Sequence, residues 1–270
     1  MKVSVIVPTY KPQEYIWECL NSIKNQTFAR EDFELILVLN GCKEPYYSQI
    51  KEYIARNFVG YNINFIQTDQ GGVSNARNIA LDMAQGEYIT FIDDDDYISP
   101  QYLEELYQQA SPSTVSLCYP YAFNDGKPEI QLEYGLTKVY NKFHERAFNT
   151  INSKVRKYFS GPCMKLLHRD IIGNRRFDIR FKNGEDSIFM FHISDKMNHI
   201  EFTSEKAIYY RRYRDGSAIM SKRTLIKKAT NAAKIIGVLL RIYSKHPFSY
   251  SARFLGTRIL GCIKSIIFTN

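Results

Sequence analysis

The first hundred residues alternate short apolar runs with apolar residues at helical spacing. Val3–Val7 is a β-branched run that predicts a strand, broken by Pro8-Thr9-Tyr10-Lys11-Pro12. Gln13–Asn25 carries Ile16, Cys19, Leu20 and Ile23 on one helical face. Phe33–Leu39 predicts a second buried strand, ended by the turn dipeptide Asn40-Gly41. Ile50, Tyr53 and Ile54 mark a helix, Ile63–Ile66 a third strand, and Gly72–Gln85 a third helix stopped by Gly86. Tyr88–Ile92 predicts a fourth strand. Strands of near-continuous apolar character, alternating with helices, predict an α/β fold with a mostly parallel central sheet flanked by helices.

The second half is less regular. Thr114–Tyr121 predicts one strand, Asn124–Pro128 a turn, Met164–His168 a strand, Gly184–Met197 a helix and Ala207–Arg211 a late strand. Thr224–Tyr243 and Ser251–Phe268 predict two helices with basic residues along them. Apolar content of 44% and charged content of 24% are those of an ordinary soluble chain of one domain plus an appendage. No apolar run is long enough to cross a membrane, and Met1–Pro8 is too short and strand-like for a signal peptide. The five cysteines have no paired spacing and predict free thiols, no zinc site and a cytoplasmic location.

Charge sharpens the picture. The net charge is +8, but residues 216–270 contain ten Lys or Arg and no acidic residue. The remaining chain holds 26 basic and 28 acidic side chains, which argues against nucleic acid as a partner. A composition boundary therefore falls near Asp215-Gly216-Ser217. The basic helices, with Leu225, Ile235, Ile236, Leu239 and Leu240 among Lys227, Lys228, Lys234 and Arg241, have three readings: solvated faces, an oligomer contact, or peripheral contact with an anionic membrane through 221–270.

The candidate chemistry starts at the end of the fourth strand, where Asp93-Asp94-Asp95-Asp96 follow one another. Adjacent carboxylates repel, and a cation among them relieves the repulsion. Mg²⁺ and Mn²⁺ take such oxygens, and Mg²⁺ typically uses one or two carboxylates plus substrate phosphates. The plainer reading is a solvated acidic turn. Position favours the first, because ligands of open α/β sheets bind outside the carboxyl ends of the strands. The segment Gln70–Asn78 is glycine-rich but is neither a Walker loop nor GxGxxG. Arg77 on its helix is a candidate anchor for an anionic substrate. Glu185-Asp186 opens a later helix; acidic capping is the plain reading and a general base the functional one. The lone histidines His168 and His192 suit core or surface roles better than metal ligation.

Taken in order, these segments resemble the family 2 glycosyltransferases of the GT-A fold, in the bacterial branch that builds capsule and exopolysaccharide. The resemblance rests on Val3–Tyr10, Cys19–Ile23 with Gln26-Thr27, Asp32–Ile36, Gly71–Asn78, Gly86–Asp96, Lys165, Gly184–Asp186 and Tyr209–Ser217, and covers about residues 2–217. It implies a nucleotide-binding half over 1–110, an acceptor half over 111–217 and a basic helical extension over 218–270. By position, Pro8 and Tyr10 line the nucleobase pocket, and Asn40, Arg77, Asp93 and Asp94 bind the nucleotide sugar. Asp95 and Asp93 hold Mn²⁺ or Mg²⁺, with Asp96 orienting its neighbours. Asp186, with Glu185, supplies the base, and Arg212 is the diphosphate contact within the cluster Arg211, Arg212 and Arg214. Many members carry Asp-Asp-Gly-Ser after the second strand, where this chain has Leu39-Asn40-Gly41-Cys42; an amide can accept from and donate to a base edge, so the selectivity for uracil stays open.

The implied activity is inverting, metal-dependent transfer of a hexosyl or N-acetylhexosaminyl group from a nucleoside-diphosphate sugar to a glycan or lipid-linked acceptor. Two alternatives stand beside it. One is a non-catalytic nucleotide-sugar or polysaccharide-binding module of the same fold. The other is a nucleotidyltransferase, which lacks its usual basic glycine-rich loop after the first strand.

Overall fold

The computed structural model describes residues 1–214 and 224–268. In chain order the elements are β1 (Val3–Thr9), α1 (Tyr15–Lys24), β2 (Phe33–Asn40), α2 (Tyr46–Asn57), β3 (Asn62–Thr68), α3 (Val73–Met83) and β4 (Tyr88–Phe91). Then come β5 (Tyr97–Ile98), α4 (Tyr102–Gln108), β6 (Thr114–Leu117), β7 (Tyr119–Asn124), α5 (Gly135–Phe143), β8 (Lys165–His168) and α6 (Arg169–Ile172). The chain continues with α7 (Glu185–His192), β9 (His199–Phe202), β10 (Ile208–Tyr213), α8 (Leu225–Lys245) and α9 (Ala252–Phe268).

A seven-stranded sheet runs in the order β3-β2-β1-β4-β8-β6-β9, and a three-stranded sheet in the order β5-β10-β7. The first four strands of the large sheet are parallel, β8 is antiparallel to both β4 and β6, and β9 is parallel to β6. The expected mostly parallel sheet is therefore present. Every residue of β1, β2 and β4 is buried, as their unbroken apolar runs require.

Three local differences from the sequence pattern have physical causes. First, β1 continues through Pro8 to Thr9, although proline cannot donate to a ladder. The carbonyl of Ile6 accepts from Ile92 N–H, so alternation turns the Pro8 nitrogen to that same side, where β4 has already ended at Phe91. Second, Thr114–Tyr121 is two strands in two sheets. At Cys118 the backbone changes partners: its N–H reaches the Met164 carbonyl at 3.2 Å, while Tyr119 N–H reaches Ala207 at 2.8 Å. Third, the helix over 184–197 ends at His192, and a 3₁₀ turn (Ser194–Lys196) follows.

The composition boundary near Asp215–Ser217 lies outside the described residues. The helices beyond it are packed on the body. Both α8 and α9 touch α7, and Ile235 and Leu239 are buried there. Gly184, which precedes α7, has φ of +88° and lies against Ile235; a Cβ at that position would collide with Ile235.

Candidate active site

The carboxyl ends of β1, β2 and β4 converge on one edge of the large sheet. The chain leaves β4 directly into Asp93–Asp96, and α7 delivers Glu185 and Asp186 to the same place. Arg77, on the second turn of α3, joins the two acidic segments. Its Nη2 donates to Asp93 Oδ1 at 2.9 Å and its Nη1 to Asp186 Oδ1 at 2.6 Å. The Phe177 ring lies 5.3 Å from its guanidinium carbon. Burial works against the charge of Arg77, but Asp186 and Asp93 outweigh it and raise its pKa. Both terminal nitrogens of Arg77 are thus committed to protein carboxylates. The geometry makes it a clamp between the two acidic segments.

Each aspartate of the run has its own partner. The backbone N–H of Asp93 donates to the Tyr209 hydroxyl at 3.1 Å. Thr9 Oγ1 donates to Asp94 Oδ2 at 2.5 Å, and Arg214 Nε donates to Asp95 Oδ2 at 2.7 Å. Asp96 is buried and accepts from Arg212 N–H at 2.8 Å, which orients the turn. Burial, followed by repulsion from Asp95 and Asp93, pushes Asp94 up to about 7. Burial and Asp93 raise Asp95 as well. The run therefore carries more negative charge than its own partners offset.

That imbalance bears on a metal ion. The donor set is hard carboxylate oxygen, raised in pKa by burial and then by crowding, and a divalent cation would relieve the crowding. Among the described residues no group of three or more His, Cys, Asp or Glu side chains could enclose an ion. Mg²⁺ does not require such a cage, since it is commonly held by one or two carboxylates together with substrate phosphates. The residues fit an ion of this kind.

Glu185 and Asp186 are crowded too. Burial, then Asp186, pushes Glu185 up to about 7, and Glu185 Oε2 is buried without a hydrogen-bond partner among the described residues. Burial also raises Asp186, against the opposing pull of Arg77. With Oδ1 held by Arg77, the free oxygen of Asp186 is Oδ2. It faces Gly161, where even a Cβ would stand 3.7 Å away. The wall beside it is braced by Lys165, fully buried, whose ammonium donates to the carbonyls of Gly161 at 2.7 Å and Cys163 at 2.5 Å. Burial lowers Lys165 to about 8. From α9, Arg258 donates to the carbonyls of Arg156 at 2.9 Å and Phe159 at 2.5 Å, and to Ser160 Oγ at 3.1 Å, behind the same wall.

The remaining candidates divide. Tyr10 is 54% exposed at the mouth of the edge, beside Gly41, while Pro8 is buried within β1. Asn40 is only 3% exposed. Its amide donates to the Thr9 carbonyl at 2.7 Å and accepts from Gly72 N–H at 2.8 Å. It ties β1, β2 and the glycine turn together. Arg212 is likewise occupied: it donates to Glu18, to Asp125 Oδ1 at 2.6 Å and to the Asp95 carbonyl at 2.8 Å. Arg211, by contrast, has no carboxylate within ion-pair distance among the described residues; it reaches the Tyr134 hydroxyl at 3.4 Å and lies between the rings of Tyr134 and Tyr213. His168 caps α6, accepting from Asp170 N–H at 3.2 Å.

Thr9, Tyr209, Arg214, Gly161 and Arg258 escaped sequence reasoning as individual site residues. Only Arg214 carried a usable signal, its place in a basic, aromatic-flanked cluster.

A family model described as glycosyl transferase family 2 matches residues 4–175. Poly(ribitol-phosphate) beta-N-acetylglucosaminyltransferase TarS of Staphylococcus aureus is 32% identical over 224 residues, covering 82% of this chain and 37% of TarS. Minor teichoic acid biosynthesis protein GgaB of Bacillus subtilis is 30% identical over 220 residues, covering 80% of this chain and 24% of GgaB. The chain thus spans 37% or less of these two curated relatives. Among solved structures, S. aureus TarS 1–349 in complex with UDP aligns with a TM-score of 0.73 at 22% identity, covering all of this chain and 73% of that one. Mannosyltransferase PcManGT from Pyrobaculum calidifontis, in complex with GDP-Man and Mn²⁺, aligns with a TM-score of 0.62 at 16% identity, covering 99% of this chain and 70% of that one. At these identities the structural likeness speaks for the fold.

Proposed function

We propose that this chain, which belongs to glycosyl transferase family 2, is an inverting, metal-dependent glycosyltransferase of surface polysaccharide synthesis. It moves a sugar from a nucleoside-diphosphate sugar, UDP-linked, to a hydroxyl of a glycan or lipid-linked acceptor. The observation that carries this reading is the Arg77 bridge, because one guanidinium spans the end of β4 and the start of α7. The UDP-bound relative of the same fold and the teichoic acid names of the sequence relatives support the donor and the pathway class. The chain acts at the inner face of the membrane; its basic helices support this, and no described helix is long and apolar enough to cross a bilayer.

The mechanism follows from what each group can do. Asp95 and Asp93 would hold Mn²⁺ or Mg²⁺, which would supply charge to offset the negative charge that develops on the departing diphosphate. Tyr10 stacks at the open edge against the nucleobase. Arg211, the arginine of its cluster with donors to spare, contacts the diphosphate. Asp186 Oδ2 accepts the proton of the acceptor hydroxyl as that oxygen attacks the anomeric carbon. Attack from the face opposite the leaving group inverts the configuration. Arg77 holds Asp186 Oδ1, so the carboxylate presents Oδ2 in one orientation.

Calorimetry of Asp95→Ala with a UDP-sugar and Mn²⁺ tests the metal assignment. The expected result is loss of the metal-dependent part of donor affinity. Unchanged affinities for both donor and Mn²⁺ would remove Asp95 from the role.

A further inference from the structure

Away from the catalytic edge, a concavity of about 280 Å³ lies where α7 ends against the last turns of α8 and the loop into α9. It is lined by His192, Arg241, Ile242, Lys245, His246 and Tyr250. Four of these six residues carry cationic or imidazole groups. Among the described residues, none of Arg241, Lys245 or His246 has a carboxylate within ion-pair distance. Asp195, the acidic group that faces His192, is held by Arg175 at 2.6 Å through Oδ2, while its Oδ1 is buried without a hydrogen-bond partner among the described residues. Burial first, then Arg175 and Lys245, push the pKa of His192 down, against the opposing pull of Asp195.

Beside this lining Phe248 is 103% exposed, and the residues bracketing it, His246 and Tyr250, both line the concavity. No acidic residue occurs anywhere in 216–270. A soluble anion would account for the basic lining but not for a phenylalanine projecting wholly into water. An extended polyanion such as nucleic acid would need a basic stripe over the body, whose charge is balanced towards the acidic side. A bilayer carrying anionic lipid matches both parts at once: cations meet phosphate at headgroup depth while an aromatic side chain enters the interface.

We propose that this concavity is a docking site for the phosphate headgroup of an anionic lipid, with Arg241, Lys245 and His246 contacting the phosphate and Phe248 entering the bilayer surface. It rests on the reading that the chain works at a membrane face, and it gives that contact a place. None of the residues lining it touches the groups assigned to donor chemistry; it lies at the end of α7 opposite the one that carries Glu185 and Asp186.

Vesicle flotation of the full chain tests the proposal, comparing phosphatidylcholine with mixtures containing phosphatidylglycerol. Wild type is expected to float with the anionic vesicles and not with the neutral ones. Each basic residue at a membrane surface is worth roughly fivefold in binding, so the double variant Arg241→Gln/Lys245→Gln should weaken flotation by about 25-fold. Phe248→Ser should weaken it by roughly tenfold, from the lost burial of one aromatic side chain. Because Phe248 is fully exposed, that variant is not expected to disturb folding, and transfer to a soluble acceptor should be unchanged in both variants. Equal flotation of wild type and variants would overturn the site while leaving membrane attachment standing elsewhere. No flotation of wild type would remove both. Inorganic phosphate that displaces the protein from vesicles at low millimolar level, with Phe248→Ser indistinguishable from wild type, would make this a free-anion site and overturn the lipid assignment.

Discussion

Both ends of the large sheet bury carboxylates, and they do it in opposite ways. At the amino end of β2, Glu34 is 2% exposed. Its Oε1 accepts from Ser4 Oγ at 2.7 Å, Gln85 N–H at 2.7 Å and Gly86 N–H at 3.2 Å, and its Oε2 accepts from Asn64 Nδ2 at 3.0 Å. Neutral donors surround it, and the site is complete as it stands. At the carboxyl end, six carboxylates crowd together. Burial and repulsion push Asp94 and Glu185 up to about 7, and Glu185 Oε2 is buried with no partner among the described residues. Buried polar groups in a finished core are satisfied. The amino-end carboxylate is a structural knot; the carboxyl-end group is arranged for a ligand that brings positive charge, donors or both.

Breaking the two ends should therefore give different kinds of damage. The largest effect is expected from Arg77→Ala, which leaves Asp93 and Asp186 without their shared counter-ion. Removing one member of a buried ion pair costs about 3–5 kcal/mol, and turnover should fall at least about a hundredfold as the base loses its orientation. Denaturant unfolding and steady-state transfer assays report the two losses. Glu34→Ala should cost about 3 kcal/mol, because several donors are left unpaired, while kcat per folded molecule stays at the wild-type value. A fall in kcat at matched folded fraction would end the contrast between the two ends.

The pH response is a smaller and finer test. Glu185 is raised from an ordinary carboxylate value to about 7, by burial and then by Asp186. A raised acid is protonated below its folded pKa, so the Glu185–Asp186 pair shares a proton below about pH 7, and base function should fall as pH drops through that value. Stability moves the other way: the folded state binds the proton more tightly than the unfolded chain, so this group destabilises the fold as pH rises from its ordinary value towards 7. Glu185→Gln removes the neighbouring charge and should shift the acidic limb of the kcat profile to lower pH. A limb that does not move would separate the two carboxylates.

Much of this was legible because it is local. The β4 run and the aspartates after it are contiguous, and Glu185-Asp186 begins a helix, so both acidic segments stand out without any knowledge of packing. What is not legible is which cation meets which anion. Arg211, Arg212 and Arg214 look alike in sequence. Strand alternation in β10 sends Arg212 to Glu18 and Asp125 and leaves Arg211 between two tyrosines, and only the pairing of β10 with β5 and β7 decides this. Asn40 is read as a ligand group from its place in the family pattern after the second strand, and Arg77 from its position on a helix near the sheet edge. Their partners, Thr9, Gly72, Asp93 and Asp186, come from elsewhere in the chain. The split of Thr114–Tyr121 is hidden for the same reason: its cause is a change of backbone partner at Cys118. The basic helices looked like an appendage from their charge, yet Ile235 and Arg258 pack behind the segments that carry the site.

The proposed base, Asp186, is tested most directly by transfer with purified Asp186→Asn at saturating donor and acceptor, with donor affinity measured alongside. A kcat lowered by at least roughly a hundredfold, with donor affinity preserved, is the expected result. Near-normal turnover would contradict it.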